Sequence, residues 1–202
     1  MIERCIQAGL YLYTNTPALE IKASSTRKWQ IGTSNGHIHC DRVIHATNGY
    51  ATYLVPELSE KLVPLRGHAV AIDPSPKYLE SPLRHSYAFH WGDDFDYLIQ
   101  RPSDGKPLIY GGGDTSHPEG YTNGVGNYDD SKICSTIADH LTARIPETFI
   151  GWNQAPARRC AWTGIMGLTE DELPFVGELP QKAGQFIAAG YNGHGKYISW
   201  SF

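Results

Sequence analysis

The stretch richest in chemical possibility is "AAGYNGHG", residues 188–195, in which an apolar run opens into Gly190, Gly193 and Gly195 with Asn192 and His194 between them. Glycine lacks a Cβ, so it lets a ligand approach the main chain and reaches positive φ without steric cost. If a helix begins just after, its free N–H groups favour an anionic or electron-rich ligand. The same pattern also serves as a plain turn. A second candidate is "CAWTGIMG", residues 160–167. A large aromatic beside glycines suits a flat ring system, with Trp162 walling a pocket and glycine amides facing heteroatoms; as a core residue Trp162 would need no ligand. The third is "HATNGY", residues 45–50, where the short apolar run "RVIHA" stops abruptly. A buried strand ending in a glycine turn is a frequent place of ligand contact, and also an ordinary strand-to-helix turn. Three bare turns, each after an apolar strand, can converge on one ligand. His37 and His39 share a strand face and offer half a metal site. No further ligand pattern accompanies them, so they are assigned to a solvated face.

The elements around these residues follow from periodicity. Residues 9–21 predict a strand, a turn at 14–17 and a short second strand. Asn35-Gly36 is a strong hairpin signal, with Trp29, Ile31 and Thr33 alternating before it and Ile38 and Cys40 after it. Residues 51–63 predict a short helix or loop, and a strand resumes over 67–72. "DPSPKYLESP" predicts a loop. Residues 85–113 predict three antiparallel strands joined by turns at 92–94 and 103–105. Ile133, Ile137, Leu141 and Ile145 recur every four residues, predicting a helix over about 129–144, capped by Asp129 or Asp130 and ended by Pro146. A strand, a glycine-punctuated loop and a proline-rich turn then lead back to "AAGYNGHG".

Composition narrows the classes. A chain of 202 residues makes one domain or two small ones, and 41% hydrophobic content builds a core rather than a disordered chain. Net charge is −4 with no long basic run, which argues against nucleic acid as a partner. No apolar stretch approaches the roughly 18 residues of a membrane helix. Glu3 and Arg4 interrupt the N-terminus, so no secretory signal is expected. Cys5, Cys40, Cys134 and Cys160 are far apart, which supports neither a zinc site nor a disulfide framework. The expected location is the cytosol or another reducing compartment; a peroxisome fits too, although the chain has no SKL ending.

Taken together, "NTPALEI", "VIHATNGYATYLVPEL", "VPLRGHAVAI", "YLIQRP" with "LIYGGG", "WTGIMGLTEDELPFVGELP" and "FIAAGYNGHG" resemble the glycine/D-amino acid oxidase (DAO) family of FAD-dependent oxidoreductases. The resemblance covers nearly the whole chain, and it leans towards enzymes of the sarcosine-oxidase or γ-glutamylputrescine-oxidase type. It implies an α+β fold: an α/β FAD-binding remnant over 1–62 and 174–202, plus a substrate-binding domain with an antiparallel sheet and helix over 63–173. It implies that Ala18 lies near the adenine, and that Ala46, Thr47 and Gly49 pass the pyrophosphate or ribose. Trp162, Gly164 and Ile165 would border the isoalloxazine, and Gly190, Asn192, Gly193, His194 and Gly195 would follow its edge and the ribityl chain. Arg66, Tyr97 and Arg101 are candidate substrate contacts, since arginine pairs bidentately with carboxylate; solvated salt bridges are the other reading. Strand alternation puts Tyr97, Ile99 and Arg101 on one face. Cys160 stands two residues before Trp162, where sarcosine oxidases with covalent flavin carry the linking cysteine. A thiolate is the nucleophile such a bond needs, and a structural cysteine is the alternative.

Departures from the family are also legible. The G-x-G-x-x-G fingerprint of the first βαβ unit is absent from the sequence. A lysine tied to oxygen activation in sarcosine oxidases has no clear match, and "KYISWSF" is β-like rather than helical. The expectation is therefore the C-terminal portion of a flavoenzyme. It would have exposed sheet edges and poor solubility, weak or no FAD binding, and a need for a missing N-terminal segment or partner chain. The implied parent reaction oxidises a C–N bond of an amine or amino acid by hydride transfer to FAD, with O2 as acceptor. The rival expectation is a non-catalytic binding module derived from a truncated flavoenzyme.

Overall fold

The computed structural model describes residues 1–92, 94–120 and 124–195. Three sheets organise the chain. The first is an antiparallel sheet of β1 (Ala18–Ala23), β2 (Trp29–Thr33) and β3 (Gly36–Cys40), in which the Asn35-Gly36 turn joins β2 to β3 as expected. The second has the order β10-β11-β4, with β4 (Val43–His45) parallel to β11 (Gln185–Ala189) and β10 (Phe175–Glu178) antiparallel to it. A parallel pair needs a crossover connection, and here the crossover carries the third sheet. Buried His45 and Gln185 pin the parallel pair through a 2.8 Å hydrogen bond between Nε2 and Oε1.

The third sheet is antiparallel, in the order β6-β7-β8-β5-β9: β6 (Tyr87–Trp91), β7 (Asp94–Gln100), β8 (Leu108–Gly111), β5 (Leu62–Ile72) and β9 (Arg158–Thr169). Its two faces differ. On the closed face Val70, Ile72, Leu98 and Tyr110 pack under α4 (Ser135–Thr148), which contributes Ile137, Leu141 and Ile145. Burying one such side chain is worth about 1.5–3 kcal/mol, and this cluster is the main core. A second, smaller core gathers Ala51 of α2 (Ala51–Leu54) and Val55 at its end with Leu62, Leu179, Ile187 and Ala189, beneath the β10-β11-β4 sheet. Where β8 ends, residues 124–126 continue beside β5: the Arg66 N–H donates to the Gly124 carbonyl (2.9 Å) and the Gly126 N–H to that of Pro64 (2.8 Å).

Several expectations are corrected. Residues 9–13 form no strand. They are exposed and have no neighbouring strand, and an extended segment without one leaves its backbone to water. A short helix, α1 (Ile2–Gln7), precedes them and buries no residue. Within the expected loop, α3 (Pro76–Glu80) forms, with Ser75 at its N-cap and proline at its start, a pairing that favours helix initiation. α4 starts six residues later than expected and runs through Pro146, because Ile145 and Phe149 anchor its last turn in the core. Asp129 closes a local turn onto Ser131 instead of capping the helix. Gly164 and Gly167 lie inside β9 rather than in a loop. The expectation for "KYISWSF" falls on 196–202, outside the described residues.

Candidate functional site

The open face of the third sheet is a shallow trough. In antiparallel pairs, directly opposed residues point to the same side. The pairs Tyr97↔Gly111, Gly111↔Ala69 and Ala69↔Trp162 therefore make one row across β7, β8, β5 and β9. Its ends are aromatic and its middle is bare. Three strand spacings separate the ends, about 14 Å between Cα positions. Tyr97 leans inward, since a Cβ on Gly111 would overlap its ring. Gly67 and Gly164 form the row on one side of it, and Ile99, Ile109, Ala71 and Cys160 the row on the other. Cys160, Trp162 and Gly164 are exposed along this side of β9.

Glycine here has two distinct uses. A Cβ on Gly49 would overlap the Met166 carbonyl oxygen. One on Gly167 would stand 2.8 Å from Asn48 Oδ1, and one on Gly190 2.7 Å from Thr169 Cγ2. These three glycines let chain pack on chain. A Cβ on Gly164, by contrast, would meet nothing within 4 Å. Glycine weakens a strand interior, and no atom of the described residues requires one at this place.

The two bare turns, after β4 and after β11, converge with the end of β9. Asn48, at φ 46°, accepts from the Gly190 N–H at 2.9 Å through Oδ1. Asn192, at φ 50°, accepts from the Thr169 N–H (2.9 Å) and donates through Nδ2 to the Gly190 carbonyl (2.8 Å) and Thr169 Oγ1 (2.9 Å). Its own N–H donates to the Gly167 carbonyl at 3.0 Å. The His194 ring nitrogen Nδ1 lies 2.8 Å from the Asn192 carbonyl. A Cβ on Gly193 would lie 3.9 Å from Met166 Sδ, so this turn borders the trough. Gly195 is the last described residue. Beside the knot, an apolar pocket of about 580 Å³ is lined by Ala18, Thr47, Tyr50, Tyr53, Leu54 and Tyr128. Burial, then hydrogen bonding to Asp130, pushes the Tyr50 phenol up to about 12.

The candidate substrate contacts do not converge. Tyr97 stands on the open face, and burial followed by the Asp114 and Asp96 charges raises its phenol above the ordinary range. Arg66 alternates with His68 and Val70 on the closed face, is buried, and donates from Nη1 to the Asp129 carbonyl at 3.2 Å. Arg101, just beyond β7, is exposed and ion-paired with Asp104 at 2.5 Å. Behind the sheet His68 accepts the Cys134 N–H at Nε2 (3.1 Å). Burial, reinforced by the Arg66 and His117 charges, lowers His68 to about 4. Nearby Asp114 is raised to about 6 by burial and then by the Asp94 and Asp96 charges. His39 Nδ1 lies within 3.0 Å of Ser24 Oγ, while His37 is exposed on the same strand.

Ala46 is exposed just before the knot, Gly49 is buried in it, and Ile165 points to the closed side of β9. Asn48 was given no role by sequence reasoning, although Asn before Gly at a strand end signals a left-handed residue. Met166 and the tyrosines of the pocket carried no such local signal.

The fold matches a known architecture. The family model described as "FAD dependent oxidoreductase" (DAO) matches residues 1–201, and the chain belongs to this family of FAD-dependent oxidoreductases. Similar curated proteins are a glycine oxidase of Geobacillus kaustophilus, 26% identical over 194 residues, and a probable oxidoreductase OrdL of Rhizobium meliloti, 29% identical over 198. Each match covers 95% of this chain but 46% and 40% of the relative, so the chain spans about half the length of the curated relatives it matches. Among solved structures, glycine oxidase from Geobacillus kaustophilus superposes with a TM-score of 0.70 at 23% identity, covering 93% of this chain and 46% of that one. L-proline dehydrogenase from P. horikoshii gives 0.66 at 21%, covering 96% and 48%. At these identities the structural likeness is one of fold. Among the described residues, no helix is long and apolar enough to cross a membrane.

Proposed function

We propose that this chain forms the substrate-facing part, and a portion of the FAD-binding part, of a flavoenzyme that oxidises a C–N bond of an amine or amino acid. The observation that carries the reading is Gly164: it is exposed, mid-strand and beside Trp162, and the space a Cβ would fill there is open. A planar ring laid on β9 uses that space, with Trp162 as a wall. The residues fit FAD in part. Ala18 and Thr47 line an apolar pocket of a kind suited to adenine. The Asn48–Asn192 knot holds Gly190 and Gly193 against the end of β9, where their bare backbone would follow the ring edge and ribityl chain. Bound FAD supplies the redox step: a C–H next to nitrogen gives up a hydride, two electrons and one proton, and the resulting iminium is hydrolysed by water. Everything else falls to the protein's side chains. Tyr97 keeps its proton and can donate a hydrogen bond, while Ile99 and Ile109 keep the floor dry.

The division into 1–62 with 174–202 and 63–173 is part of this proposal. It is supported by the two separate cores and by the insertion of the large sheet between parallel β4 and β11. O2 is the proposed acceptor, and Cys160 a proposed covalent anchor because it shares Trp162's exposed face. The rival reading, a non-catalytic interaction module, draws on the edge strand β4 and on Ile44, 70% exposed. A visible spectrum of the purified chain titrated with FAD to about 1 mM, where a Kd of that order is still read, separates the two. Weak but saturable perturbation of the flavin bands is expected. Colour retained after acid precipitation, and lost in Cys160→Ser, would place the anchor. An unperturbed flavin spectrum refutes the flavin reading and favours the module.

A further inference from the structure

We infer that the substrate taken by the trough is an amine bearing an apolar, preferably aromatic, substituent, rather than a small zwitterionic amino acid; this rests on the flavin reading above. The argument starts from what the open face lacks. The buried arginine of β5, Arg66, lies on the other side of the sheet and is turned to the Asp129 carbonyl. Arg101 is engaged by Asp104 beyond the end of β7. Arg159, in the β9 bulge opposite Ala71 and Ile72, is engaged by Asp73 and by the Asp104 carbonyl. His90 packs its ring 5.2 Å from that of Phe95. No described strand residue of this face is thus a cation free to meet a carboxylate, and a carboxylate brought here would lose water without gaining a charged partner from these strands.

What the face does offer is apolar and partly uncovered. Phe95, Tyr97 and Trp162 are 49%, 43% and 40% exposed, and Ile99 and Ile109 share the row beside them with Cys160. The Phe95 and Tyr97 rings are 6.5 Å apart and tilted, forming an aromatic ledge at one end of the bare row. A substituent on this ledge would bring its amine towards Gly111, Ala69 and Gly164. None of the described strand residues on this face is acidic; the carboxylates whose charge reaches Tyr97 are Asp114, past the end of β8, and Asp96, on the closed face. Desolvation favours the neutral amine, whose nitrogen lone pair is needed to form the C=N bond as hydride leaves.

The test is ligand binding to the purified chain, followed by the NMR ring signals of Tyr97 and Phe95 and the indole signal of Trp162, with benzylamine and glycine as probes. Benzylamine is expected to bind at least tenfold more tightly than glycine and to shift all three residues. Phe95→Ala and Tyr97→Ala should each weaken it at least fivefold, and Arg101→Ala should leave it unchanged. Both ledge side chains are substantially exposed, and a one-dimensional spectrum checks that each variant is folded. Equal or tighter glycine binding, or benzylamine binding indifferent to both ledge variants, overturns the inference. FAD titration of the same samples scores the flavin reading separately. Failure to bind FAD with the benzylamine preference intact overturns only the flavin reading and leaves an apolar-amine site; FAD binding with glycine preferred overturns only the inference drawn here.

Discussion

Gly164→Ala separates a ligand-binding glycine from a structural one by the sign of two effects. The added methyl meets no atom of the described residues within 4 Å, and the backbone at 164 is not left-handed. Its effect on folding is therefore the loss of unfolded-state freedom, a gain of about 0.4–1 kcal/mol. For a chain of this size that raises Tm by about 1–4 °C. The same methyl projects into the space assigned to the flavin ring. Forcing a methyl into a fitted contact costs about 1–3 kcal/mol, which weakens FAD binding roughly 5- to 150-fold. The assay pairs thermal unfolding without ligand with FAD titration by flavin absorbance. Unchanged FAD affinity in a variant that is folded and slightly more stable would refute the placement of a ring on β9. A fall in stability would refute the claim that the space is open.

Other predictions follow from the same geometry. Gly49→Ala, whose Cβ would overlap the Met166 carbonyl, should destabilise by about 1–3 kcal/mol, read as a lower urea midpoint. Asn192→Ala loses the hydrogen bonds to Thr169 and Gly190 and keeps a strained positive φ; it should cost about 2–4 kcal/mol, and Asn192→Gly should recover about 1 of these by relieving the backbone. In the pH dependence of unfolding, His68 and Asp114 oppose each other. His68, depressed to about 4 in the fold, lends stability above its ordinary value of 6.5 that is lost as pH falls from there towards 4, by up to about 3 kcal/mol. Asp114, raised to about 6, acts in reverse, and stability is gained as pH falls from 6 towards 3.8. Urea midpoints between pH 4 and 7 should therefore drop towards acid in Asp114→Asn and rise towards acid in His68→Gln; parallel curves would contradict the assignment.

Much of the scaffold was legible in the chain because it is encoded locally. The Asn35-Gly36 turn, the alternation through β6, β7 and β8, and the four-residue repeat of α4 each rest on neighbours in sequence. Element ends were less legible. Pro146 stays inside α4 because the packing of Ile145 and Phe149 outweighs a local breaker, and residues 9–13 had strand composition without a strand to pair with.

The sequence by itself determined the bare turns after β4 and β11, the aromatic beside β9's glycines and the family they identify, since residue types in order are enough for that. Only the tertiary structure decided which glycines are for packing and which leave room. Gly49, Gly167 and Gly190 touch atoms far away in the chain, whereas Gly164 faces open space, and no local pattern distinguishes them. Tertiary structure also decided the side on which each arginine lies. A strand's period of two fixes which residues share a face but not which face meets the core. That is set when α4 covers one side of the sheet, leaving Arg66 behind it and Tyr97, Trp162 and Gly164 on the open side.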